Sequence, residues 1–483
     1  MTNSSSERSS FWFIILAIFF GNFMAILSST TINVAFPIFM KDFDAELGKV
    51  QWMITGFLLA TGVVAPIVGY FGDRFSYKRL YIFALSGFTL FAALCTVAWS
   101  INSLIIFRTL QGVFSGLIIP TTLTMIYQFI EKDRQPFAMS LWSLSSMLAP
   151  AFGPTLGGLL TEYFGWQSLF MLNVPIGIAA VAVAFKCLPY LSINSSKTFD
   201  FPGFITVLLS SSFIILSFTE GNGWGWTNWK TLFFFLVGVA ALIYFIRREL
   251  RIASPLLNLS VFRTRRFTYS LIINCIITAS LYSGTLLIPV FVQDVQHSTP
   301  LVTALILLPG SMVMALCSPI VGKLYSRTGP FPLIMGGILL LIVSNWELSH
   351  ISLQASHVYA AGWMTIRYIG ISLAFMPVMN AGMSSISKEK SGHASSVTNW
   401  VRQAVGALSI GVFSSLLAAR SLAHQKDVGV DASASSSFIR DQGMTLAVQD
   451  VFLIAVFICI VAIPLSFILR EKRNKRRAVG LQG

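Results

Sequence analysis

Very few residues in this chain could do ionic or proton-transfer chemistry away from water, and their apolar surroundings make them conspicuous. Arg108 stands inside an apolar stretch, followed by Gln111, Gly112 and Gly116. A charge in such a place is expensive, and by default it marks an ion or substrate path. The plainer alternative is a long side chain reaching back to a polar surface. Glu347, after Ser344 and Asn345, is flanked by an apolar run that would favour its neutral form. Arg367 lies at similar depth one stretch later. The two read either as a carboxyl that trades a proton against cargo or as a structural Glu347–Arg367 ion pair. Asp450 opens the last apolar stretch, where a helix dipole favours an acid. Glu220 and Asp294 also end stretches, and no acid falls plainly at the middle of one.

This chemistry moves charge and makes no bonds. The five histidines show no i,i+4 ligand pairing and there is no glycine-rich phosphate loop with lysine. No metal, cofactor or enzyme is expected. A membrane enzyme or sensor is the alternative of another class. The five cysteines fall in or beside apolar stretches and read as small apolar residues without disulfides.

The elements that must position these groups are membrane helices. The 483 residues are 55% hydrophobic and 11% charged, with mean hydropathy +0.75. A helix needs about 20 apolar residues to cross a bilayer, and only helices or closed barrels satisfy their backbone there. Fourteen stretches qualify: 11–36, 52–71, 80–99, 104–127, 137–160, 166–185, 201–219, 231–246, 267–292, 303–321, 332–348, 358–383, 397–417 and 446–469. The expected fold is therefore an all-α polytopic membrane protein. Of 33 Lys and Arg, 24 fall in alternate gaps and the termini, 6 in the other gaps and 3 inside stretches. The positive-inside rule puts both termini in the cytoplasm. It also explains the net charge of +14 without nucleic acid. The basic tail 470–477 reads as a topology anchor or a contact for anionic lipid. The segment 420–445, rich in Ser and Ala, reads as a flexible outer loop.

An internal repeat gives the first functional hint. Pro66–Gly69 and Arg74 recur as Pro319–Gly322 and Arg327, each at the end of a stretch entering the basic side. The repeat makes 1–190 and 251–483 two six-helix bundles, with two inserted helices in 191–250. Parallel repeats of this kind hold cargo between them near the midplane.

Three motifs sharpen the hint. Gly69, Asp73, Arg74 and Arg79 form a glycine–acid–base cluster that reads as a gate latch or a topology anchor, partly copied at Gly322 and Arg327. Arg108 to Gly116 carries the buried charge and a small-residue face. Gly153, Pro154, Gly157 and Gly158, after Pro150, weaken a straight helix and form a packing seam. Together they resemble motifs A, B and C of the major facilitator superfamily. Asn173–Gly177, the first-span run Thr30–Pro37 and Pro255–Phe262 resemble its fourteen-span drug:proton antiporter branch.

The resemblance implies a secondary transporter of the cell membrane, expected to be a monomer, that exports small amphipathic drugs or metabolites in exchange for protons by alternating access. Its partners would be the small-molecule substrate, protons and membrane lipid. Multidrug efflux and antibiotic resistance follow from the same branch. Cavity-lining candidates on matching helices are Ser28, Asn33, Gln111, Asn380 and Asn399. The chain departs from the branch at Ser28, where relatives carry an acid, at Ser76, where they carry glycine, and at Tyr77, where they carry a base. A neutral Ser28 beside Arg108 would favour anionic or zwitterionic cargo. The alternative reading is thus a specific exporter of an anionic metabolite such as a siderophore.

Overall fold

The computed structural model describes residues 3–45, 47–190, 200–252, 255–428 and 436–470. The basic tail beyond 470 lies outside them. Regular structure among the described residues is entirely helical. The helices are α1 Asn3–Thr30, α2 Phe36–Asp42, α3 Leu47–Val64, α4 Val68–Phe75, α5 Tyr77–Thr96, α6 Ile101–Phe129, α7 Gln135–Phe164, α8 Ser168–Met171, α9 Asn173–Cys187, α10 Phe201–Trp224, α11 Trp229–Glu249, α12 Arg265–Val290, α13 Pro300–Thr328, α14 Pro330–Leu348, α15 His357–Met383, α16 Ser391–Val428 and α17 Ser436–Ser466.

Twelve helical segments among the described residues are long and apolar enough to cross a membrane, against fourteen expected. The remaining two expected spans fall on α7 and α15, which have the length at 30 and 27 residues but are diluted by polar groups. Ser140, Ser143, Ser145 and Ser146 lower the apolarity of α7, and Arg367 and Asn380 that of α15. The protein is a multi-pass membrane protein.

Local chemistry sets the helix ends. Ser100 and Ser103 form a reciprocal capping box at the start of α6. Asp200 and Asn228 cap α10 and α11. Gly165 and Gly329 close α7 and α13 at φ +74° and +82°. The expected flexible loop at 420–445 is mostly helix instead. α16 runs on to Val428 and α17 begins at Ser436, because Asp450 accepts from Arg420 (2.9 Å) and pairs with His424 (2.7 Å) across the hairpin.

Lipid tails are as apolar as leucine, so helices gather by close packing of small residues. A Cβ on Gly112 or Gly116 would lie 2.6 or 2.5 Å from the carbonyl oxygens of Phe57 and Thr61, which brings α6 onto the backbone of α3. Gly337 and Gly370 do the same for α14 and α15. The α10–α11 hairpin leans on α3 and α16 and leaves Phe233, Leu236 and Ile243 exposed. Its fastenings are Trp400 Nε1 donating to Ser211 (2.8 Å) and Trp226 Nε1 donating to Ser415.

Candidate functional site

At the end that carries the basic loops, α4 packs on α16 and α7 on α13. Gly69 sits against the backbone of His393, where a Cβ would be 3.1 Å from its Cα and N. The Gly69 amide donates to Ser396 Oγ (3.1 Å). Asp73, in the next turn of α4, lies 3.3 Å from His393 Nε2, and both side chains are buried. The backbone amide of Asn258 donates to the other ring nitrogen, Nδ1 (3.3 Å). That bond leaves the proton of a neutral ring on Nε2, facing Asp73. Tyr77 donates to Asp73 Oδ1 (3.0 Å) and threads between Gly72 and Gly392.

The repeat makes the second contact. Gly322, at the place in α13 that corresponds to Gly69 in α4, packs on Ser140 of α7, and Ser318 donates to the Ser140 carbonyl (2.8 Å). Tyr127–Asn380 (3.1 Å) and Ser395 to the Pro120 carbonyl (2.5 Å) complete the closure. Asn380 therefore belongs to this closed end, although the sequence suggests a cavity wall for it. Arg74 donates to Tyr70 (3.0 Å), Arg79 lies over the Tyr190 ring, and Arg327 is exposed.

Arg108 is fully buried toward the other end. Its guanidinium donates to Ser28 Oγ (2.7 Å), the Ser28 carbonyl (2.5 Å) and Gln111 Oε1 (2.6 Å), and it stacks 3.8 Å above the Phe57 ring centroid. Burial at the α1–α6 contact rules out snorkelling. Every partner is neutral, and Arg108 Nε and Gln111 Nε2 have no acceptor.

Arg367 repeats this arrangement in the second segment. It is fully buried and donates to Ser283 (2.9 Å) and Asn345 Oδ1 (3.1 Å), with Gly284 leaving room for its guanidinium. The Glu347–Arg367 ion pair is absent, a correction to the sequence reading. Asn345 and Glu347 stand two residues apart in α14, so their side chains leave the helix about 200° apart, on nearly opposite faces. Only Asn345 faces α15's arginine, while Glu347 is half-buried and accepts from the Tyr359 hydroxyl (3.4 Å). Asp450 belongs to the outer cluster with Arg420 and His424 and also stands apart from Arg367.

In the seam, Gly153 abuts Thr30 of α1, the Gly157 carbonyl accepts from Thr161 (2.5 Å), and a Cβ on Gly158 would touch nothing. The side chains of Asn33 and Pro154 lie outside the described residues. Asn399 is buried in α16. Two functional candidates escape a reading by motif. His393 looks like any loop-edge histidine until α4 is placed against it. Arg402 breaks the apolar stretch 397–417, a signal of the same kind as Arg108, but no motif points at it. No cluster of metal-ligating side chains exists among the described residues.

Comparison with known proteins agrees with this architecture. The Major Facilitator Superfamily profile matches residues 18–410, and the chain belongs to that family of membrane transporters. The chain is 28% identical over 420 residues to the tetracenomycin C resistance and export protein of Streptomyces glaucescens, covering 87% of this chain and 78% of the relative. It is 29% identical over 400 residues to the multidrug export protein EmrB of Haemophilus influenzae, covering 81% and 78%. In fold it resembles the human organic anion transporter MFSD10, with TM-score 0.64 at 12% identity over 93% of this chain and 99% of the other.

Proposed function

We propose that this transporter exports small amphipathic molecules from the cytoplasm by alternating access, exchanging them for protons. In this reading α7 and α15 also cross the membrane, for fourteen spans in all. The basic end faces the cytoplasm, 1–190 and 251–483 rock against each other as halves, and the α10–α11 hairpin is the insertion. The observation that carries it is the closure at one end by a duplicated contact, Gly69 on His393 and Gly322 on Ser140. Two pivots of the same construction suit a pair of bundles that open and close at that end. The export names of the relatives at 28% and 29% identity support the direction of transport.

The test is uptake of an amphipathic dye into inside-out proteoliposomes with and without an imposed pH gradient. Transport that collapses when the gradient is removed supports proton exchange. Transport indifferent to it sinks the exchange and leaves the exporter. Glu347→Gln and Arg108→Ala report which group takes part. The anionic-cargo alternative is favoured by one observation: Arg108 contacts only neutral groups.

A further inference from the structure

The three arginines inside the apolar stretches, Arg108, Arg367 and Arg402, have no carboxylate within ion-pair distance among the described residues. Arg108 makes three hydrogen bonds to neutral oxygen acceptors and Arg367 two. Arg402 is different. Among the described residues its one hydrogen-bond partner is Asn399 Oδ1, accepting from Nη2 at 3.0 Å. It is half-buried, and its remaining guanidinium nitrogens have no hydrogen-bond acceptor among the described residues.

Asn399 is 3% exposed, and because its oxygen is held by Arg402 its amide nitrogen points elsewhere. That nitrogen has no acceptor. Tyr282 packs on Gly406, one turn farther along α16. The local inventory is thus donors on a positive charge, with acceptors missing.

Position places this cluster above the closed end. Ser395 contacts the Pro120 carbonyl, where α16 touches α6. Arg402 stands about 10 Å farther along α16, and Arg108 about 18 Å back along α6, at 1.5 Å per residue. Gln403 faces Gly62 of α3, and Phe57 of the same helix carries Arg108. By helix rise, Arg402 and Arg108 thus lie about 8 Å apart in depth, on two helices, α16 and α6, that both touch α3.

We propose that Arg402 and the Asn399 amide form the binding site for the acidic group of an amphipathic organic anion, with Arg108 adding a fixed positive field. This rests on the exporter reading and names the chemistry of its cargo. A carboxylate or sulfonate supplies the acceptors that Arg402 and Asn399 lack, and two parallel N–H donors suit it. A lipophilic cation meets only repulsion and unmatched donors there.

The test uses the purified full chain in detergent, with fluorescein as the anionic probe and rhodamine 6G as a cationic one, read by fluorescence anisotropy. Fluorescein is expected to bind about tenfold more tightly than rhodamine 6G, and Arg402→Gln to weaken it by about tenfold without weakening rhodamine 6G. Arg402→Lys keeps the charge but loses the paired donors, and is expected to bind fluorescein less tightly than the parent and more tightly than Arg402→Gln. The proposal is overturned if rhodamine 6G binds as well or better, if neither dye binds, or if Arg402→Gln leaves fluorescein affinity unchanged. Efflux from proteoliposomes separates the two readings. Selective fluorescein binding without efflux of either dye refutes the exporter and keeps the site. Efflux of both dyes, unaltered in Arg402→Gln, keeps the exporter and refutes the site.

Discussion

Asp73 and His393 face each other at 3.3 Å, 320 positions apart in the chain and buried from solvent. Removing one member of a buried pair strands the other. Asp73→Asn and His393→Ala are expected to loosen the closed end, and double electron–electron resonance between spin labels on the basic loops reads the change as a longer, broader distance. The exchange Asp73→His with His393→Asp is expected to recover part of the closed population. Unchanged distances in both single variants contradict a latch.

The two pivot glycines make a graded prediction. Gly69→Ala puts a methyl 2.7 Å from His393 Nδ1, and Gly322→Ala puts one 2.5 Å from Ser140 Cβ, whereas Gly158→Ala meets nothing. Both pivot variants are expected to cut dye efflux by roughly tenfold, in line with overpacking costs of about 1–3 kcal/mol. Gly158→Ala is expected to match the parent. Equal behaviour of all three contradicts the assignment.

Ser76 sits at φ +76°, ψ 137° between α4 and α5, a backbone region that only glycine enters without strain. Ser76→Gly is expected to stabilise the protein by about 1 kcal/mol, visible as a higher melting temperature in detergent. A lower one means that the Ser76 side chain contributes more than its backbone costs.

Arg367 and Glu347 separate structural from peripheral charge. Arg367→Met leaves Asn345 Oδ1 and Ser283 without their donor and is expected to cost about 2–3 kcal/mol. Glu347→Gln removes only a weak acceptor for Tyr359 and is expected to stay within about 0.5 kcal/mol. Thermal unfolding of the two variants side by side decides it. Comparable losses would restore the ion pair between them.

Much of this architecture is legible along the chain because bilayer crossing imposes a length and a composition. The spans, the basic asymmetry and the Pro66–Gly69 repeat all follow from one-dimensional patterns. The resemblance even marks Ser76, whose positive φ suits the glycine that the family motif implies there. What escapes is whatever depends on helix rotation. Depth along the sequence suggests Arg367 with Glu347, but azimuth gives it Asn345. Asn380 has the polarity of a cavity residue, yet its register puts it on Tyr127 at the closed end. His393 and Arg402 lack a motif, and their partners come from helices distant in sequence.

The α10–α11 hairpin is hydrogen-bonded to α16 through Trp400 and Trp226, while against α3 the close approach is the apolar one of Ile215 to Gly62. It is moored on one side and greased on the other. In the proposed rocking motion it travels with its mooring, so one moving body ploughs a wider wake through the acyl chains than its mate. The thickness and lateral pressure of the surrounding lipid then weigh unequally on the two, and turnover becomes a property of the membrane as well as of the protein.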